Sequence, residues 1–373
     1  MARNNEENGG CLQAPPSQDA QHVQAALRDP QSCCVALISP TVRVVWGETL
    51  GLPLALANTG RLIAALHQLG FTYVFNTAAQ ASSSVRLMAQ ELRELSQKCA
   101  SDDKTGSLPL PTFPDTPLAS ACRNTLFSAT CPDWVQWLKR EHPELSDRLS
   151  SAGSPSRSLT EEVRNFVARS SGAGSADSAP DARETTDYLC VTVTGCLAKK
   201  PAPGAATGDT ITLTTAELQE LLAASNLDFT SLPEEPFDEP YAKDFGWGLL
   251  ISAPGGVAEA VLHELLPGPD DVLFSALRQD APLVECSITL GDQQLRLAAV
   301  NGLENIEELL TGFATQGCPY DFIECMTCTG SCVNGLGQPH PNTPQTITTR
   351  TESLRSLADA PAKETTTLPP RCS

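Results

Sequence analysis

The sequence predicts an α/β fold of two lobes, each a mainly parallel sheet flanked by helices, with a cleft between them. Three observations predict it. A strand, helix, strand alternation with short links opens the ordered chain and resumes after residue 186. The hydrophobic fraction is 41%, carried by Ala, Leu and Val, while aromatics make up only 5%, and small aliphatic side chains suit helices laid closely on a sheet. At 373 residues the chain also exceeds what one hydrophobic core usually serves.

Taken in order, residues 1–30 are polar and rich in Gln, Asn and Pro, and are expected to be disordered. Cys33 to Ile38 (CCVALI) is a short apolar run ending at Ser39-Pro40, read as a buried strand. RLIAALHQL then sets apolar residues at helical spacing, Gly70 supplies a stop, and Phe71 to Phe75 forms a second strand. The Pro-rich stretch 101–118 reads as a loop. A Ser/Gly/Ala-rich insertion at 170–180 comes near the end of a first lobe spanning 31–185.

The second lobe, 186–342, repeats the rhythm. Tyr188 to Val193 is a strand, Thr215 to Ala224 a helix, and Gly248 to Ser252 (GLLIS) another buried strand. Gly255-Gly256 opens a helix from Val257 to Leu266, followed by a strand at Leu295 to Val300, a helix at Ile306 to Phe313 and a strand at Tyr320 to Ile323. The Thr-, Ser- and Pro-rich tail, 343–373, is expected to be disordered.

Charge and composition exclude some partners. A formal net charge of −19 with no basic run argues against nucleic acid, since phosphate binding needs a local Lys/Arg surplus. No run approaches the roughly 20 apolar residues of a spanning helix, which argues against a membrane partner. The polar start, with Glu6 and Glu7, reads as neither a secretory nor a transit peptide, so a cytoplasmic location is expected.

Fourteen cysteines need a reason in a reducing compartment, where structural disulfides are rare and metal or cluster ligation is the usual alternative. Cys99, Cys122, Cys190, Cys286 and Cys318 sit singly in apolar or helix-like surroundings, as small buried hydrophobes do. The densest signal is ECMTCTGSCVNGLGQP, residues 324–339, where Cys325, Cys328 and Cys332 stand beside glycines that allow close backbone approach to a bound group. A zinc site lacks its paired CxxC hooks here, and His340 is poorly placed to complete one. Cys131 (SATCPDW) and Cys196 (VTVTGCLAKK) follow strands, and an α/β sheet places its sites at the carboxyl ends of strands.

These segments resemble the catalytic domain of the iron-only (di-iron) hydrogenases. Where that family carries TSCCPxW, MPCxxK and ExMACPxGCxxGGGQP, this chain has SATCPDW, TGCLAKK and ECMTCTGSCVNGLGQP, in the same order, and the similarity runs from about Cys33 to Pro339. The resemblance implies a 4Fe-4S cluster on Cys131, Cys196, Cys328 and Cys332, with Cys332 the thiolate that would bridge to a di-iron subsite. Lys199 matches the lysine that hydrogen-bonds a cyanide-type ligand of that subsite, and Met326 is matched as well. Cys325 falls on a variable position.

The departures point away from hydrogen chemistry. The family's proton-carrying first cysteine is Thr130 here, its adjacent Glu-Glu falls on Leu87 and Met88, and its Met-Pro is Thr194-Gly195. Ferredoxin-like cysteine runs are missing ahead of Cys33, so electrons are expected directly from a protein partner. The chain also resembles the nuclear prelamin A recognition factor family and the cytosolic iron–sulfur assembly factor in lacking the first cysteine of the pair. It lacks their N-terminal four-cysteine site and their C-terminal aromatic residue, ending Arg371-Cys372-Ser373. The expectation is a hydrogenase-like protein that binds a 4Fe-4S cluster without hydrogenase activity, in iron–sulfur assembly, electron transfer or redox sensing. The alternatives are an active ferredoxin-dependent iron hydrogenase and a cofactor-free interaction scaffold.

Overall fold

The structure, a computed structural model, describes residues 17–53, 55–102, 116–170, 188–201, 208–242, 246–266, 271–339 and 342–359. The strands are β1 (Cys33–Ile38), β2 (Tyr73–Asn76), β3 (Leu126–Phe127), β4 (Tyr188–Thr194), β5 (Thr210–Thr214), β6 (Leu283–Leu290), β7 (Gln293–Asn301) and β8 (Phe322–Met326). In the first half the helices are α1 (Gln18–Arg28), α2 (Val42–Val45), α3 (Thr59–Leu69), α4 (Ala78–Asp102), α5 (Pro117–Ala121), α6 (Pro132–Glu141) and α7 (Pro155–Ser170). The second half adds α8 (Thr215–Ala223), α9 (Gly246–Leu250), α10 (Gly256–Leu265), α11 (Asp271–Leu277), α12 (Leu303–Gln316) and α13 (Pro344–Asp359).

The first sheet has the order β2-β1-β4-β5 and is parallel throughout. Its strands are apolar on both faces because both faces are covered. Cys34, Ala36 and Ile38 of β1 pack with Leu62 and Leu66 of α3, Val23 of α1 and Leu218 of α8. The alternate residues, Val35 and Leu37, pack with Leu159 and Val163 of α7. Gly70 ends α3 as expected: its φ of +111° is a left-handed conformation that costs a side chain energy, and a Cβ there would meet Leu27 O at 2.8 Å.

The second sheet has the order β3-β8-β7-β6, with β6 and β7 an antiparallel hairpin at its edge. On β6 buried and exposed residues alternate, since one face alone is covered. Its core takes Phe127 from β3, Leu297 and Val300 from β7, Phe322 and Ile323 from β8, and residues of α4, α6, α10 and α12.

Several expectations are corrected. The lobes do not divide at residue 185. β4 and β5 lie past that point yet belong to the first sheet, with Val35 opposite Cys190 and Cys190 opposite Thr210, while β3, from the first half, pairs with β8. A linear cut assumes that neighbours in sequence are neighbours in a sheet, whereas parallel strands are joined through long crossovers. GLLIS is not a strand: α9 ends at Leu250, and a Cβ on Gly248 would stand 2.0 Å from Ala78 O, so glycine lets α9 lie directly on α4. A short apolar run looks the same in a buried strand and a buried helix.

Both expected disordered ends contain a helix. Ser17 caps α1 by accepting from the Ala20 N–H at 3.1 Å, and Ala20 and Val23 are buried. In α13 Arg350, Thr351, Leu354 and Ala358 are buried. Polar composition concealed two narrow apolar stripes that tertiary contacts make sufficient. Residues 1–16 and 360–373 lie outside the described residues, as do most of the expected 101–118 loop (103–115) and residues 171–180 of the insertion. Among the described residues no helix is long and apolar enough to cross a membrane.

Candidate functional site: a cysteine-lined cleft

Three strand ends meet where the two sheets face each other. From β3 the chain runs Ser128, Ala129, Thr130 to Cys131, which stands as N-cap of α6 with Pro132 in the first helical position. Pro132 suits that first helical position, where its missing N–H leaves no intrahelical bond unmade and its fixed φ matches the helix. The loop is held by the Trp134 Nε1–H donating to Ser128 O at 3.1 Å and by the Cys325 N–H donating to Ser128 Oγ at 3.3 Å.

From β4 the chain passes Thr194 and Gly195 to Cys196, whose N–H donates to Thr194 Oγ1 at 3.3 Å. Gly195 is a close approach. A Cβ there would lie 2.0 Å from Gln338 Nε2, and Gly195 O accepts from the Gly337 N–H at 2.9 Å. Gln338 Nε2 in turn donates to Cys332 O at 3.1 Å. The glycine-rich end of the third cysteine segment is thus sewn to the loop of the second, which brings Cys196 and Cys332 to one wall.

From β8 come Met326, Thr327 and Cys328. The N–H groups of Gly302 and Leu303 donate to the carbonyls of Met326 and Thr327, at 2.8 and 3.1 Å, and Asn301 Oδ1 accepts from the Gly330 N–H at 2.8 Å. A short 3-10 turn, Ser331–Asn334, then carries Cys332.

Cys131, Cys196, Lys199, Met326, Cys328 and Cys332 line one cavity of about 280 Å³, so the structure brings together every site residue expected from the sequence. Lys199 Nζ donates to Ser156 Oγ at 2.9 Å on its rim. Cys325 is elsewhere, 1% exposed in the core of the second sheet. Leu87 and Met88 are outside the cavity, Met88 fully buried in the same core. Sequence reasoning missed Ser39, Ser156 and Ser331, which also line the cavity. Only the proline beside Ser39 and Ser156 hinted at a shaped loop.

The cysteines sense one another. Burial pushes the Cys328 thiol up to about 11, and Cys131 and Cys196 add to that rise. Cys332 is raised well above its ordinary value, by burial first and then by Cys196 and Cys131, with Lys199 acting in the opposite direction. Cys196 is raised by burial, against which Lys199 and the N–H groups of Ala198 and Lys199 favour its thiolate. Four converging thiols cannot all ionise here without a compensating cation, and a bound metal supplies one.

Among the described residues no three His, Cys, Asp or Glu side chains converge at single-ion spacing. A cubane cluster takes one thiolate at each corner, so its ligands stand farther apart than those of a lone zinc ion. A second feature fits a polar inorganic guest. Among the described residues the hydroxyls of Ser39, Thr130 and Ser331 are buried without a hydrogen-bond partner, and all three residues line the cavity. A buried hydroxyl with no partner costs about 1–3 kcal/mol, a cost an acceptor in the cavity would remove.

The chain is similar to known proteins over most of its length. Residues 32–336 match the domain described as the iron only hydrogenase large subunit, C-terminal domain. The chain is 30% identical over 331 residues to the NADP-reducing hydrogenase subunit HndD of Solidesulfovibrio fructosivorans, covering 85% of this chain and 52% of that protein, about half its length. It is 25% identical over 344 residues to the cytosolic Fe-S cluster assembly factor narfl of Danio rerio, covering 87% and 76% of the two chains. Among solved structures, apo FeFe-hydrogenase HydA1 from Chlamydomonas reinhardtii superposes with a TM-score of 0.68 at 25% identity, covering 90% of this chain and 88% of that one. This is a fold that binds iron–sulfur clusters, and the chain belongs to the iron-only hydrogenase large-subunit family.

Proposed function

We propose that the protein holds one 4Fe-4S cluster on Cys131, Cys196, Cys328 and Cys332 and serves iron–sulfur assembly or electron transfer without making hydrogen. The observation that carries this reading is the meeting of four half-buried or buried thiols from three separate strand ends in one cavity, beside Thr130. Such a cluster, when bound, takes up and gives back single electrons. The chain's own residues orient and tune it. Thr327 Oγ1 lies within hydrogen-bond reach of Cys131 Sγ at 3.7 Å, the Lys199 N–H fixes the loop by donating to Cys196 O at 3.3 Å, and Lys199 adds a positive charge to the wall. Donors to a ligating sulfur draw off its negative charge and favour the reduced state.

Thr130 argues against hydrogen chemistry. Forming or splitting hydrogen at neutral pH needs a group that gives and takes a proton beside the reacting metal. The Thr130 hydroxyl, buried and without a partner among the described residues, is an aliphatic alcohol and does not ionise near neutrality. The likeness to assembly factors such as narfl supports an assembly role, through a protein partner of the iron–sulfur machinery or a redox protein.

A second reading, a di-iron subsite, has one observation in its favour. Lys199 and Met326 line the same cavity as the cysteines. Anaerobic purification with iron and acid-labile sulfide analysis, and infrared spectra in the region of metal-bound carbon monoxide and cyanide, separates the readings. About four irons with no such bands supports the cluster alone. Extra iron with bands restores the hydrogenase. No iron after anaerobic reconstitution sinks both.

A further inference from the structure

Arg350 lies on α13, beyond the segment matched to the family domain, and it is 1% exposed. A guanidinium carries five N–H donors in a fixed fork, and here all five have acceptors. Nε and Nη2 donate to the two carboxylate oxygens of Glu48 at 2.8 and 2.5 Å. Nη1 donates to Val333 O at 2.9 Å and to Asn342 Oδ1 at 2.8 Å, and Nη2 to Pro339 O at 3.1 Å. Val333 directly follows Cys332, and Pro339 ends the glycine-rich segment that closes on Gly195.

Packing repeats the connection. The Val333 side chain is buried with Leu354 of α13 and Val44 and Val45 of α2, and Ile347 of α13 lies against them. A Cβ on Gly330 would stand 2.9 Å from Ile347 Cγ2. Glu48 follows α2, and α2 follows Ser39, Pro40 and Thr41 on the cavity wall. One side chain therefore ties α13, the Cys332 loop and the α2 corner of the cavity.

We propose that Arg350 is a positioning residue for the cluster: its fork holds the backbone on both sides of Cys332 so that this thiolate stays within reach of the other three. The proposal rests on the cluster reading above. Lysine keeps the charge but, as a point donor, cannot serve two carbonyls, an amide and a carboxylate together. Arg350→Lys leaves buried acceptors unpaired and the Cys332 loop loose.

The test uses the full chain, loaded anaerobically, as wild type, Arg350→Lys, Glu48→Gln and Leu354→Ala. The last loosens α13 without touching the fork. For each, the measurements are thermal unfolding of the metal-free protein, iron release to a ferrous chelator, and low-temperature EPR of the oxidised protein. Arg350→Lys is expected to release iron at least about tenfold faster than wild type and to show the signal of a three-iron cluster, the mark of one lost ligand. Glu48→Gln, which keeps an acceptor oxygen, shows a smaller increase of the same kind. Release and EPR unchanged from wild type in Arg350→Lys, or in Glu48→Gln should the first variant not fold, overturn the proposal. So does faster release that merely follows the melting temperature in step with Leu354→Ala. A wild type that takes up no iron overturns the cluster reading, and this one with it.

Discussion

Cys325 and Cys328 stand three residues apart, yet they belong to different regions of the molecule. Cys325 is on β8, with its side chain 1% exposed among core residues. Cys328 lies past the strand end, in the cavity with Cys131, Cys196 and Cys332. Both thiols are raised by burial, so titration does not separate them. Surroundings do. Cys325 is sealed in the core of the second sheet, whereas Cys328 opens on the cavity it shares with Cys131, Cys196 and Cys332. Elsewhere Cys34 and Cys190 lie on β1 and β4 and pack like Cys325, while Cys196, two residues beyond β4, behaves like Cys328. A cysteine inside a strand is a small hydrophobe, and one just past the strand's carboxyl end is available as a ligand.

The largest effect should separate these two classes. Cys196→Ala or Cys332→Ala is expected to reduce bound iron from about four per chain to about three or fewer, whereas Cys325→Ala retains it. Iron and sulfide analysis of the three variants breaks the comparison if Cys325→Ala loses its iron too.

Next in size, the core around Cys325 should respond to packing in a way the cavity rim does not. Leu297→Ala, in a residue that is 0% exposed on β7, is expected to cost about 3 kcal/mol by urea unfolding. Leu197→Ala, 46% exposed beside Cys196, is expected to cost less than about 0.5 kcal/mol.

Of similar size is a pH effect from Glu324, the buried neighbour of Cys325. Burial is the main cause that raises its carboxyl from 4.5 to about 7, although the Val257 and Ala258 N–H groups donate to it at 2.8 and 2.9 Å. The folded chain therefore binds this proton more tightly than the unfolded chain. The stabilisation is full below about pH 4.5 and is lost as pH rises through about 7, a span worth about 3 kcal/mol. Unfolding at pH 5 and pH 8 should show Glu324→Gln reducing the wild-type difference by that order. An unchanged difference would refute the assignment.

The smallest effect is expected at the surface. Arg164 pairs with Asp209 through two hydrogen bonds of 2.9 and 2.5 Å, but its side chain is 52% exposed. Arg164→Ala should cost less than about 1 kcal/mol, and that cost should shrink further in high salt.

Much of this was legible in the chain. The apolar runs of β1, β4 and β7 and the helical spacing of α3 and α8 are set by local side-chain pattern, which a reader can count. The four cysteines were legible only through their resemblance to a known motif order. Their convergence depends on Gly195 meeting Gln338, and nothing near either residue announces that contact. α9 and α13 were misread for the same reason. Gly248 looked like part of a strand until Ala78 was placed beside it, and the Thr-rich stretch of α13 looked too polar to order until Arg350 found Glu48, 302 residues away.

By itself, then, the sequence determined the α/β class, several apolar strands, the helices α3, α8, α10 and α12 and the ordered cysteine motifs, because periodicity and motif spacing are local properties of a chain. The tertiary structure alone decided which strands share a sheet, that Cys325 turns inward while Cys328 faces the cavity, and that a helix near the C-terminus supports the Cys332 loop. Those outcomes rest on contacts between distant residues, and such a contact contributes only once the whole fold has brought its two sides together.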